Sequence, residues 1–312
     1  MFNAIAPATM LEVHLLRELF TATPSNADAL HLSAASGLVK MGSRVFVVAD
    51  DEHHLGMFDL SDPHPGRLLP LFEGDLPPDP AARKAAKPDC EALLHLPAFG
   101  GYPYGALMAL GSGSRPSRQR AALVAFNAAG QLQGPTRVID LGPLLAPLHH
   151  TFPDLNIEGA FIRGDTLCLL QRGNGRSGMN ACIELPWADL QAWLVSAGPA
   201  PRPALIRRFD LGTLGGVPLS FTDGAALPDG GWLFSAAAED SPDTYNDGAC
   251  AGSALGIVNP DGTVRMLEPL SLACKVEGVA AAPSGDGLDV WMVTDADDRH
   301  RPALLLAASL RL

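Results

Sequence analysis

The stretch LNIEGAFIRGDTLCLLQRG, residues 155–173, sets two short apolar runs either side of a turn at Arg163-Gly164-Asp165. It opens with Glu-Gly and ends with Arg-Gly. Whether it is one hairpin or one copy of a repeat decides the fold. Relatives of it occur at four other places: ASGLVKMGSRVFVVADDE from Ala35, CEALLHLP from Cys90 with ALMALGSGSR from Ala106, TDGAALPDGGWLFSAAAED from Thr222, and VEGVAAAPSGDGLDVWMVTDADD from Val276. Each opens on a small or acidic residue, continues as an apolar strand, turns, and resumes as an apolar strand with a polar end.

A third apolar run follows in every unit, from Leu55, Ala121, Asn180, Ser253 and Ala303. A fourth follows in four of them, from Gly66, Pro135, Ala204 and Thr263. Four strands per repeat is the content of a propeller blade. The fifth unit ends at Leu312 without a fourth strand, while MLEVHLLREL, from Met10, precedes the first unit without a partner. Pairing the two would close the ring and remove a long exposed edge. The expectation is an all-β chain, a β-propeller of five four-stranded blades forming one domain over residues 1–312. The unit starts lie further apart than the about 40–50 residues of a bare blade, so loops are extended and a sixth blade has room. Two short helical patterns, DPAARKAA from Asp79 and WADLQAWLV from Trp187, fall in connections.

With 47% hydrophobic and 18% charged residues, the chain has material for a large core. Its net charge of −12 disfavours nucleic acid and anionic membranes as partners. No apolar run is long enough to span a bilayer and the start lacks a secretion-signal pattern, which together imply a cytoplasmic protein. The five cysteines are scattered without a C-x-x-C pair, so each reads as a small buried or inert residue.

GNGRSG, residues 173–178, matches G-x-G-x-x-G but precedes MNACIELPW, a strand pattern where a dinucleotide fold needs a helix. It reads as a hairpin loop. The pairs His53–His54 and His149–His150 are adjacent residues, which face opposite ways on a strand, and read as surface loop residues. AFGGYPYG, from Ala98, reads as an insertion that packs its own aromatics.

In a propeller the start of strand one and the loop leaving strand two emerge on the same face. The strand-one starts are Ser36, Glu91, Glu158, Asp223 and Glu277. The loops after strand two bring Asp50, Asp51, Glu52, Ser112, Ser114, Arg115, Arg118, Arg172, Asn174, Arg176, Glu239, Asp240, Asp295, Asp297, Asp298 and Arg299. Carboxylates converging on one channel raise one another's pKa unless a cation compensates. Two compensations are open. A divalent cation, Ca²⁺ above all, takes 6–8 oxygen ligands, and Glu91, Glu158, Asp223 and Glu277 are the candidate metal ligands. Alternatively, arginines pair with the acids locally, Arg115 and Arg172 leaving strand two in the blades of Glu91 and Glu158. An acid before Gly can also serve only as a turn cap.

NIEGAFIRGDTLCLLQRG and KVEGVAAAPSGDGLDVWMVTD resemble the Glu-Gly blade starts of the bacterial phytase-like and SdiA-regulated propeller families, and more weakly those of gluconolactonase-type propellers. The resemblance implies a propeller and, in some relatives, Ca²⁺-dependent ester or phosphate-ester hydrolysis, carried onto Glu91, Glu158, Asp223 and Glu277. The chain departs from it in being acidic and in having Ser36 in the first blade.

The functional expectation is a small-molecule site at the channel mouth. If it is catalytic, it acts as a divalent-metal-dependent hydrolase of an ester, lactone or phosphate ester. Arg115, Arg172 and Arg176 would hold an anionic substrate, and Asp295 or Asp50 would act as general base. The alternative is a non-catalytic scaffold for a protein or carbohydrate.

Overall fold

The computed structural model describes residues 10–24, 29–173, 178–196, 198–240 and 249–312. After β1 (His14–Glu18), the first blade is β2 (Ala35–Met41), β3 (Arg44–Ala49), β4 (His54–Asp59) and β5 (Arg67–Pro70). The second is β6 (Cys90–Leu96), β7 (Ala106–Gly111), β8 (Arg120–Phe126) and β9 (Leu132–Asp140). The third is β10 (Ile157–Arg163), β11 (Thr166–Gln171), β12 (Asn180–Pro186) and β13 (Leu205–Phe209). The fourth adds a two-residue strand, β14 (Thr213–Leu214), ahead of β15 (Val217–Ala226), β16 (Trp232–Asp240), β17 (Ala249–Val258) and β18 (Val264–Pro269). The fifth is β19 (Lys275–Ser284), β20 (Gly287–Asp295) and β21 (Leu304–Arg311).

Every blade is an antiparallel meander, and the five form a five-bladed β-propeller. β1 pairs antiparallel with β21, His14 opposite Ala307 and Glu18 opposite Leu304, so the N-terminal strand completes the last blade. The inner strands β2, β6, β10, β15 and β19 neighbour one another in that order and close back on β2.

Middle strands are apolar on both faces because blades stack face to face, and Trp232–Ala238 of β16 is buried throughout. Between the third and fourth blades the Trp232 ring meets Phe161, Phe209, Phe221 and Phe234 at centroid distances of 5.4, 5.7, 5.6 and 5.7 Å. Such aromatic pairs add about 0.5–1.5 kcal/mol each beyond burial.

Three helices fill connections: α1 (Pro80–Ala86), α2 (Gly142–Thr151) and α3 (Trp187–Ser196). α1 is capped by the Asp79 carboxylate, which accepts the Ala82 N–H at 2.8 Å. α2 departs from the sequence reading. Its two prolines look like breakers, but Pro143 lies in the first turn, where its missing N–H costs nothing, and Leu144, Leu145 and Leu148 bury one face. His149 and His150 therefore sit on the last helical turn. His150 is exposed as expected, whereas His53 is buried, with Nδ1 2.8 Å from the Gly74 carbonyl oxygen. The Ala98 insertion folds as read, Phe99 stacking on Tyr102 at 4.6 Å and edge-on to Trp187 at 5.5 Å. Among the described residues no helix is long and apolar enough to cross a membrane.

Candidate functional site

Each inner strand carries a register shift, near its start in four blades and at mid-strand in β15. The shifts fall between Ala35 and Gly37, Cys90 and Ala92, Ile157 and Gly159, Phe221 and Asp223, and Val276 and Gly278. A β-bulge re-aims the residue it leaves unpaired. The residues singled out are Ser36, Glu91, Glu158, Thr222 and Glu277. In the fourth blade Thr222, not Asp223, is the equivalent position, and its hydroxyl donates to Ser235 Oγ at 2.8 Å.

Asp223 stands one step on, where three other blades have glycine. A Cβ on Gly37 would lie 2.6 Å from Leu93 N, and one on Gly278 would lie 2.9 Å from Ser36 O and 2.7 Å from Val293 Cγ2. Neighbouring inner strands touch here, which explains the glycine after the bulge in the first, third and fifth blades. Gly278→Ala is therefore expected to cost about 1–3 kcal/mol of stability by overpacking, read as a lower urea midpoint. Asp223 instead reaches the next strand, its Oδ2 accepting the Val279 N–H at 2.9 Å. Burial, only partly offset by such backbone donors, holds its carboxyl well above the usual range. Its role in the structure is to tie the fourth blade to the fifth.

At the mouth above the bulges the charged side chains form two linked groups. In the first, Lys87 Nζ contacts Asp50 and lies 3.0 Å from Asp89. Arg118 lies 2.8 Å from Asp89, which also accepts the Ser112 hydroxyl at 2.5 Å. One oxygen each of Asp50, Asp89 and Glu91 lie within 4.8 Å of one another. Glu91 makes no hydrogen bond among the described residues. In the second group, buried Arg172 spans three blades: Nη1 lies 3.1 Å from Glu158 and 3.6 Å from Glu277, and Nη2 lies 2.6 Å from Glu239. Lys275 Nζ sits among Glu277 at 3.1 Å, Asp297 at 3.2 Å, and Glu239 and Asp295 at 3.5 Å each.

Eight carboxylates thus face four basic side chains. Burial, with Glu158, Asp89 and Asp50 nearby, holds the Glu91 carboxyl well above the usual range. Burial pushes Glu158 up to about 8 even though Arg172 opposes the shift. Asp297 is raised to about 7, by burial and then by Asp295. Two mouth acids, Asp89 at φ 57° and Asp297 at φ 50°, hold left-handed backbone conformations that favour glycine.

Of the residues expected from sequence, Glu91, Glu158, Glu277, Arg172, Asp50 and Asp295 come together at this mouth, while Asp223 lies between inner strands. Glu158 and Glu277 meet Arg172. Arg115 is exposed on the loop after β7, and Arg118, three residues on, is the arginine that pairs with Asp89. Arg176 and Asn174 lie outside the described residues. Sequence reasoning missed Lys87, Asp89 and Lys275. Lys275 stands two residues before the Glu277 bulge and Asp89 two before Glu91, so a polar residue at that offset was the available signal.

The chain is similar in fold to several solved structures. A tail fibre of Staphylococcus aureus phage P68 matches with 9% identity, 97% of this chain, 53% of that one and a TM-score of 0.45. The chain therefore spans about half of that fibre's length. A luciferin-regenerating enzyme matches with 9% identity, 96% of this chain, 97% of that one and a TM-score of 0.47, and a streptogramin B lyase with 13%, 94%, 97% and 0.35. Likeness of this size carries no argument about chemistry. No curated protein matches the sequence. Over residues 83–299, more than half of its length and spanning the inner strands of the second to fifth blades, the chain belongs to the Family of unknown function (DUF6910).

Proposed function

We propose that the mouth is a small-molecule site that works with a divalent cation held by Asp50, Asp89 and Glu91. The observation that carries the reading is their spacing. Oxygens within 4.8 Å of one another suit an ion bound at about 2.3–2.6 Å from each, and Glu91 brings a carboxylate with no other donor. Lys87 is the rival: its ammonium already contacts Asp50 and Asp89, so an ion enters only by turning it aside. Ca²⁺ is the ion that best fits an all-oxygen donor set.

A divalent ion there supplies Lewis acidity toward an ester, lactone or phosphate ester, the hydrolase reading of this site. Asp295, partly exposed beside Lys275, is the candidate base outside the ion's ligands. The basic groups of the mouth are held by its own acids, so Arg172 positions Glu158 and Glu277 rather than gripping an anion.

Thermal unfolding of chelator-treated protein with and without millimolar Ca²⁺, Mg²⁺ and Mn²⁺ tests the reading. An ion at 100 times its Kd stabilises the fold by about 2.7 kcal/mol. The rise in melting temperature is expected to vanish in Glu91→Gln, which breaks no hydrogen bond. A rise that survives this change, or none with any ion, would sink the triad.

A second reading, a non-catalytic scaffold, is favoured by one feature at the ring closure. Leu15, Leu16 and Phe20 are 58%, 45% and 42% exposed, and the latter two line a groove of about 750 Å³ with Trp291. A melting temperature indifferent to every ion would move attention there.

A further inference from the structure

The mouth has more acceptors than donors, and one acceptor is out of place. Glu277 is only 3% exposed; its Oε1 faces Lys275 and Arg172, while its Oε2 has no hydrogen-bond partner. A buried carboxylate oxygen without a donor is costly. The nearby cations cannot turn to it: Lys275 is shared among four carboxylates, and both Nη atoms of Arg172 are committed. Arg172 Nε is the neighbouring group left over, a buried donor without a partner.

The chemistry that this wall accepts is already visible in it. An ammonium, that of Lys275, sits in a cage of carboxylates, and a guanidinium, that of Arg172, is gripped by three glutamates. Carboxyl groups are twice as numerous as basic groups here, so the mouth offers more acceptors than its own cations can satisfy. We propose that the organic ligand of this mouth carries a protonated amine or guanidinium, received by Glu277, beside a neutral oxygen that accepts from Arg172 Nε. The inference rests on the mouth being the ligand site, but not on the ion at Asp50, Asp89 and Glu91. It departs from the anionic substrate that the arginine count in the sequence suggests, because those arginines serve the protein's own acids.

Four probes of one chain length separate the possibilities: 1,5-diaminopentane, 5-amino-1-pentanol, 1,5-pentanediol and glutarate, titrated calorimetrically into the full chain with and without Ca²⁺. The two amines are expected to bind and the diol and glutarate not to. Glu277→Gln should weaken amine binding at least about tenfold, a loss of one charge-assisted hydrogen bond. Should that variant fold poorly, Asp295→Asn lowers the same local charge from a partly exposed position, and about threefold weakening is expected. Glutarate binding as well as the amines would overturn the proposal, and so would amines that fail to bind, which would assign Glu277 Oε2 to an ordered water. The Ca²⁺ shift in melting temperature, lost in Glu91→Gln but kept in Glu277→Gln, reports separately on the ion. If amines bind while that shift is absent, the ion reading fails and this one stands.

Discussion

Replacing Arg172 by methionine is expected to lower the free energy of unfolding by about 3–5 kcal/mol, the cost of breaking a buried ion pair from one side. The guanidinium touches Glu158, Glu239 and Glu277, which arise from three different blades, and its side chain is 5% exposed. Methionine keeps much of the volume but leaves three carboxylates buried without that partner. Urea denaturation at pH 7 measures the loss. Two further results separate an electrostatic cause from a packing one. The double variant Arg172→Met with Glu158→Gln should recover part of the stability, and the deficit should shrink at pH 5, where the acids hold protons more readily. A deficit equal at both pH values would show that Arg172 acts through its packed stem.

The wild-type protein is expected to lose stability as pH rises from about 5 to 8, the reverse of the behaviour of proteins rich in ordinary salt-bridged carboxylates. Burial pushes the Glu158 carboxyl up to about 8 from its ordinary 4.5 and raises Asp297 to about 7 from 3.8. Between those limits the folded state holds a proton that the unfolded state has lost, so the contribution is full below the unfolded value. It is lost as pH climbs through the folded one, at up to about 1.4 kcal/mol per pH unit for buried Glu158 and by less for Asp297, whose exposure lets solvent screen it. Arg172 and Lys275 oppose the shift of Glu158, while Glu277 and Asp89 reinforce it; at Asp297, Asp295 reinforces and Lys275 opposes. Melting temperatures across this range should fall in the wild type and fall less in Glu158→Gln. A flat profile would mean that water reaches these groups freely. A cation bound by acids should stabilise more at pH 8 than at pH 5, because the ligands must first be deprotonated.

How far the sequence alone reaches is clearest at the blade starts. The alternation of short apolar runs and turns, repeated five times, is a local property of the chain, and strand pairing within a blade is local too. β10 with β11, and β1 completing the blade of β21, were therefore readable from LNIEGAFIRGDTLCLLQRG and from the unpartnered run after Met10. The convergence of Glu91, Glu158 and Glu277 with Arg172 was also legible, because the repeat places equivalent residues around one axis. The fourth blade shows the limit. TDG reads like IEG, but the bulge falls on Thr222, and a shift of one residue on an inner strand turns Asp223 from the mouth to the neighbouring strand. Which carboxylates share a cation and which share Arg172 depends on distances of 3–4 Å between residues from different blades, and such distances have no signature in sequence. Lys87 and Asp89 precede β6 and Lys275 opens β19; Lys87 and Lys275 each stand two residues from a partner acid, Asp89 and Glu277, and only folding brings them also to Asp50 and Glu239 from neighbouring blades. The sequence by itself determined the propeller, its closure and the acidic character of one mouth, because those follow from periodicity and composition. The tertiary structure decided which acids are paired and which are left without donors, because burial and charge balance are properties of the assembled ring.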